Sequence, residues 1–342
     1  MDTKPAKAGV DGEAVPLTLR FQRLLEAASN STALRMAVVH PVDTVSLQGA
    51  VEAAKRGLIT PVLVGPEHKI RAAACLAHLD IGSLQIIPTD HSAAAAARAV
   101  ELARAGEVQA LMKGALHTDE LMHAALDAER GLRTARRMSH VFVIDLAAFP
   151  RLLLVTDAAI NVYPTLTDKR DIAQNAIELA HTLGIEQPRV AILSAAETVN
   201  PAIRSTLDAA ALCKMADRGQ ITGALLDGPL GFDNAISLAA AHNKGIVSPV
   251  AGRADILLAP DLEAGNILAK QLEYLAAAQI AGIVLGARVP IVLTSRADRA
   301  SARLVSCAIA QLVTLSAHST MAKVSEGYAA LPSIAPASHD SV

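Results

Sequence analysis

Short apolar runs recur along the chain with helix-period segments between them, and this alternation restricts the fold more than any other feature. The runs are Met36–Val39, Pro61–Val64, Gln85–Ile87, Ala110–Met112, Val141–Ile144, Leu152–Thr156, Val190–Leu193, Gly223–Leu226, Asp255–Leu258, Ile283–Leu285 and Ile291–Leu293. Helical stretches such as 43–56, 91–105, 168–183, 197–214 and 263–278 separate most of them. Strands apolar on both faces, with helices between, predict an α/β fold of parallel or mixed sheets and crossover helices. Eleven strands are many for one open sheet, so two α/β lobes with a cleft between them are expected. At Phe149-Pro150 two strand runs meet with no helix between. Residues 17–149 with 289–317 are therefore expected to form one domain and 150–288 the other. Residues 1–16 and 318–342, rich in Ala, Ser and Pro, are expected to be a disordered tail and a frayed tail. Ligands of open α/β sheets bind at strand carboxyl ends, which directs attention to the cleft.

Composition removes several function classes. A net charge of −2 gives no global field toward nucleic acid or an acidic membrane. With no Trp, four Phe and three Tyr, the chain lacks the aromatics of a base-stacking platform. Neither nucleic acid nor membrane is expected as a partner. The first sixteen residues hold no apolar signal core, and the nearly apolar stretch Gly282–Leu293 is broken by Arg288 and too short for a bilayer. Cys75, Cys213 and Cys307 are odd in number, far apart and set in Ala/Leu-rich helical contexts, which predicts reduced core thiols and a cytoplasmic location. Neither a Gly-rich dinucleotide fingerprint nor a P-loop is present. No His/Cys set has zinc spacing, so no metal is expected.

Two polar clusters sit at strand edges. In "VLTSRADRAS", 292–301, Ser295, Arg296, Asp298 and Arg299 follow an apolar run. Helix-spaced Leu304, Val305, Ala308 and Ile309 begin soon after. A helix start favours anions, and Arg296 adds a two-pronged grip on phosphate. Asp298 would repel the same phosphate; it serves either as an N-cap or near a transferring proton. In "GLRTARRMSHVFVID", 131–145, Arg133, Arg136, Arg137, Ser139 and His140 precede a strand, close in sequence to Lys113 at the end of another. Such a cluster is a solvated basic turn or an anion site. "LLDGPLGFDNAIS" and "LLAPDLEAGNIL" share one form: a strand, then Pro with an acidic residue and Gly, then a helix. These suit plain capping or close approach to a ligand.

Over roughly residues 20–315 the chain resembles the phosphate acetyltransferase/phosphate butyryltransferase family. The resemblance rests on "LMKG", "GLRTARRMSHV", "TDAAINVYPTL", "KRDIAQNAIELAHTLGIEQPRVAILSAAETVNP", "DAAALCKMADRGQITGALLDGPLGFDNAIS", "ADILLAPDLEAGNIL" and "AGIVLGARVPIVLTSRAD", in that order. It implies a two-domain fold like that of isocitrate and isopropylmalate dehydrogenases, usually in a homodimer. It also implies reversible, direct transfer of a short acyl group between coenzyme A and inorganic phosphate through an acyl phosphate. Coenzyme A is then a substrate, and no cofactor is implied.

Ser295 and Arg296 match the family's cleft Ser-Arg pair, and Ser139 its hydroxyl-bearing phosphate loop. The acetyl branch tends to carry an acidic residue where this chain has Ala302 and an arginine near Ala124. "GLRT", "MSHV" and "LTSRAD" look more like the butyryl branch and the related domains fused to enoyl-CoA hydratases. The expected roles are Arg296 on phosphate, Ser295 on the thiol or tetrahedral intermediate, and Asp298 as thiol proton acceptor. Arg133, Arg136, Ser139 and Lys113 would complete the anion site. A metal- and NAD-dependent dehydrogenase of the same fold, or a non-catalytic module binding coenzyme A or acyl phosphate, are the alternatives.

Overall fold

A computed structural model describes residues 16–294 and 300–329. The strands are β1 (Leu34–Val39), β2 (Ile59–Gly65), β3 (Gln85–Pro88), β4 (Ala110–Lys113), β5 (Ser139–Asp145), β6 (Leu153–Thr156), β7 (Arg189–Leu193), β8 (Leu225–Leu230), β9 (Ile256–Leu258), β10 (Gln279–Leu285) and β11 (Ile291–Val292). The helices are α1 (Leu19–Ser29), α2 (Thr44–Lys55), α3 (Glu67–Leu76), α4 (Ser92–Arg104), α5 (Thr118–Leu126), α6 (Leu166–Thr182), α7 (Arg204–Asp217), α8 (Phe232–Ile236), α9 (Leu238–Asn243), α10 (Leu262–Leu275) and α11 (Ala300–Ala329).

These strands join one sheet in the order β3-β2-β1-β4-β11-β10-β5-β6-β9-β7-β8, so eleven strands are not too many for a single sheet here. The reason lies in the middle. β5 and β10 pair antiparallel over seven residues, from Gln279↔Asp145 to Leu285↔Ser139. Each is also antiparallel to its outer neighbour, β6 for β5 and β11 for β10. The flanking strands are parallel within each half. Three reversals across the middle therefore leave the two halves running in opposite directions. The Phe149-Pro150 break falls in the connection between β5 and β6, which are bonded neighbours.

Side chains alternate across the sheet, so each strand feeds two cores. On one face a single core runs under both halves, built by α1, α2, α3, α6, α7 and α11. On the other face the core is divided: α4 and α5 cover the β1–β4 side, while α8, α9 and α10 cover the β6–β9 side. Ala300–Ala317 of α11 is apolar and long enough to cross a membrane, exceeding the stretch singled out above, but half of it is buried. Its Leu304, Val305, Ala308 and Ile309 belong to the undivided core.

Some boundaries differ for local reasons. β8 starts at Leu225 because Gly223 turns with φ +83°, and its Pro229 lies inside the strand. An edge strand tolerates that missing N–H. α7 starts at Arg204 rather than near 197 because the Thr206 hydroxyl bonds both the N–H and the carbonyl of Asn200, closing a turn around Pro201. Cys75 is exposed on α3, so it is not a core thiol; Cys213 is half-buried and Cys307 fully buried.

Burial pushes the Cys307 thiol up to about 12 and, aided by Asp227 and Asp217, the Cys213 thiol up to about 11. Only thiolate reacts with a disulfide reagent. At pH 8 the native protein should thus release one equivalent of chromophore quickly, from Cys75, and the other two only after denaturant. Cys75→Ser should abolish the fast phase. A fast phase of two or more equivalents would contradict the packing of Cys213 on α7 or Cys307 on α11.

Candidate active site

Where the core is divided, the sheet floor carries a cleft of about 420 Å³. One wall is Lys113 at the end of β4 with Leu116, His117 and Thr118 leading into α5. The other is Ala159 with Leu262, Asn266 and Lys270 of α10. Phe142 of β5 and Leu293-Thr294, just beyond β11, complete it. A roomier, more open cavity of about 770 Å³ lies at the ends of β2 and β3, between Pro66–Arg71 and Pro88–Asp90. There Arg71 is already bonded to Glu67, and neither core division nor sheet centre is involved.

Local chemistry holds each wall. Asp157 accepts from the N–H groups of Ala159 and Ile160, and Asn161 bonds the Met138 carbonyl at 2.9 Å, so the turn bearing Ala159 is fixed. α10 packs onto that turn because Gly265 has no side chain: a Cβ there would lie 2.6 Å from the Asp157 carbonyl oxygen. Asn266 then donates to the Ala158 carbonyl at 3.0 Å, and Asp261 caps the helix through Ala264 N–H. Lys270, two turns from the cap, reaches the cleft and also pairs with Glu273 at 2.7 Å. Lys113 is buried, with its side chain on the Leu111 face by strand alternation.

His140 packs behind two of the lining residues, Phe142 and Leu293. It is fully buried on β5, with Nε2 3.3 Å from the Leu293 carbonyl oxygen and its ring edge-on to Phe142, 4.3 Å between centroids. Burial holds its pKa below the usual imidazole value, against the opposing pull of Asp157. The ring lies across Gly282 of β10. Thr294 Oγ1 is buried with no hydrogen-bond partner among the described residues.

Among the described residues, Lys113 is the one expected site residue that the cleft includes. Ser295, Arg296 and Asp298 lie outside the described residues, directly after Thr294 in the chain. Arg133 is exposed and bridges Ala287 through backbone. Arg136 is paired with Glu178 at 2.5 Å. Ser139 is fully buried and accepts from Asn175 Nδ2 at 2.8 Å. Adjacent residues of a strand face opposite ways, so Ser139 points into the undivided core while His140 points under the cleft. Asn266, Lys270 and His117 joined the lining without being singled out in the sequence. Only the helical phase of Asn266 and Lys270, four apart on α10, hinted at a shared face. Among the described residues no group of three or more His, Cys, Asp or Glu is placed to hold a metal ion.

A sequence profile of the family described as "Phosphate acetyl/butaryl transferase" matches residues 91–311. A phosphate acetyltransferase of Rickettsia typhi is 60% identical over 86% of this chain and 84% of its own length. A phosphate butyryltransferase of Clostridium acetobutylicum is 41% identical over 86% of this chain and 97% of its own. The crystal structure of a branched-chain phosphotransacylase from Enterococcus faecalis superposes with a TM-score of 0.72 at 30% identity, covering 82% of this chain and 99% of that one.

The packing of His140 on Gly282 makes that glycine irreplaceable. A Cβ there would sit 2.4 Å from the Leu293 carbonyl oxygen and 2.8 Å from His140 Nε2. Gly282→Ala should therefore destabilise the fold by about 1–3 kcal/mol, the usual cost of overpacking. Urea unfolding at constant m-value checks this, and an unchanged midpoint would show that the seam has room to spare.

Proposed function

This chain belongs to the phosphate acetyl/butyryl transferase family and moves a short acyl group between coenzyme A and inorganic phosphate; we propose that the cleft between the divided cores is where it does so. The observation that carries the assignment is the pairing of cationic and apolar lining. Lys113 and Lys270 come from opposite walls, and Leu116, Phe142, Leu262 and Leu293 also line the cleft. Phosphate needs the first and an acyl chain the second. Thr294, with its buried hydroxyl, leads directly into Ser295 and Arg296.

In the phosphate-to-acyl direction, a phosphate oxygen attacks the thioester carbonyl carbon and a tetrahedral oxyanion forms. The C–S bond then breaks, and the coenzyme A thiolate leaves and takes up a proton. In reverse, the thiol is deprotonated and its sulfur attacks the acyl phosphate, expelling phosphate. Both directions gain from fixed cations near the phosphate and from holding the reactants together in one cleft. Arg296 grips phosphate, Ser295 donates to the oxyanion or thiol, and Asp298 accepts the thiol proton. Lys113 and Lys270 add charge to the phosphate end. Arg133, Arg136 and Ser139 do not touch substrate on this proposal. The reaction as written needs no metal and no further cofactor.

The same proposal takes the sheet with its divided face to be the two-lobed arrangement of isocitrate and isopropylmalate dehydrogenases, and the enzyme to be a cytoplasmic homodimer. In support of a dimer, α9 and α10 cover the same half of the sheet and carry outward Leu238, Ile267, Tyr274 (66% exposed) and Leu275 (84% exposed). Light scattering should give about twice the chain's 35.5 kDa, and Leu275→Lys should shift that value toward the monomer. A wild-type monomer at micromolar concentration would remove the dimer.

The purified protein should release free thiol from acetyl-CoA or butyryl-CoA only when phosphate is present. Lys113→Met keeps stem length and removes the charge. A hydrogen bond to a charged group is worth about 1.5–3 kcal/mol, so kcat/KM for phosphate should fall about 10–100-fold. Phosphate-independent thiol release would overturn the transfer reaction, and wild-type kinetics in Lys113→Met would remove the cleft assignment.

A further inference from the structure

His140 carries a cost that packing alone does not explain. It is fully buried, and Nδ1 has no hydrogen-bond partner among the described residues. A buried unsatisfied polar atom costs free energy that Leu or Phe would not incur at the same place. The compensation is at the other nitrogen. The Leu293 carbonyl, 3.3 Å from Nε2, is acceptor-only, so Nε2 must carry the proton and the neutral ring keeps its lone pair on Nδ1. β10 makes room for this contact at Gly282, where a Cβ would come within 2.8 Å of Nε2. The ring also meets Phe142 in a T-shaped contact at an interplanar angle of 72°.

Phe142 and Leu293 both line the cleft, and His140 does not. One hidden side chain thus contacts two lining residues from behind, and it fixes the backbone carbonyl next to Thr294. We propose that His140 is a positioning residue for the acyl transfer: its Nε2–H holds the Leu293 carbonyl, and its ring backs Phe142, setting the geometry of the reacting groups rather than their affinity. The proposal rests on the acyl-transfer assignment of the cleft. Reaction rates are steep in such geometry, since a misplacement of about 1 Å costs on the order of 100-fold.

Two amide variants separate the two ring nitrogens. Gln carries its amide nitrogen at about the reach of Nε2, Asn at that of Nδ1. In steady-state assays with acyl-CoA and phosphate, His140→Asn and His140→Phe should lose about 100-fold in kcat with both KM values within about threefold of wild type. His140→Gln should recover to within about tenfold of wild type. Thermal midpoints of the Gln and Asn variants, measured alongside, should agree closely. Nitrogen-15 NMR of the wild-type imidazole should show the Nε2–H tautomer, which decides the hydrogen bond even if His140→Phe does not fold. Asn as active as Gln, a loss confined to KM, a kcat loss that tracks the thermal midpoint, or an Nδ1–H tautomer would each overturn the proposal. An inactive wild-type protein would instead count against the acyl-transfer assignment, leaving the tautomer result standing.

Discussion

The seven-residue antiparallel pairing of β5 with β10 is the contact on which the rest of the molecule depends. Parallel strands need crossover helices, and each half of the sheet is wound that way. Two such halves running in opposite directions meet only through strands that reverse, and β5, β10 and β11 provide the reversals. Helices continue under the seam on one face and stop short of it on the other, so one face is a shared core and the other a cleft. The end of the seam is itself anchored. Asp145, fully buried, accepts from Thr18 Oγ1 at 2.6 Å and from Arg20, while Gln279 Oε1 accepts from Thr18 N–H at 3.0 Å. The last strand pair therefore doubles as the docking point of α1.

Buried charge fixes the far half. Lys169 of α6 meets Asp208 of α7 at 2.7 Å, both largely out of water. Asp255, just before β9, accepts from the Arg189 N–H at 3.0 Å and pairs with Arg151 at 2.9 Å. Burial nonetheless holds its carboxyl above the usual carboxylate range. Such pairs add little net stability over apolar packing, but they admit one register, because a slip would strand a charge. On the proposed assignment, that half holds α10 and its Asn266 and Lys270 at a set distance from β4.

The sequence revealed strands well and side-chain direction poorly. Every apolar run became a strand, because burial on both faces leaves an unbroken apolar signature that no helix of the same length needs. Boundaries slipped where a local polar contact competed, as at Asn200 with Thr206. Lys113 was recognisable as a cation ending a strand. Ser139, expected at the anion site, is absent from the cleft lining because a strand's phase, the one-residue difference that sends Ser139 inward and His140 to the cleft face, is set by partners more than 130 residues away on β10. Cys75 showed the same limit on a helix: Ala-rich surroundings hide which side faces water. Asn266 and Lys270 could not be seen in the site, since α10 reaches it only through the close approach at Gly265.

Acetyl and butyryl groups differ by two methylenes, each worth about 0.8 kcal/mol when buried, so full burial of both separates them by only about 15-fold. On the proposed assignment, a cleft lined by Leu116, Leu262, Leu293 and Phe142 tolerates either chain unless its depth is set rigidly. Flexible walls would give a shallow preference, and a wall held from behind a sharp one. Leu293 is fixed by its carbonyl and Phe142 by an edge-on ring, both through His140. On the proposed assignment, the seam that joins the two halves also sets how finely the cleft distinguishes chain length.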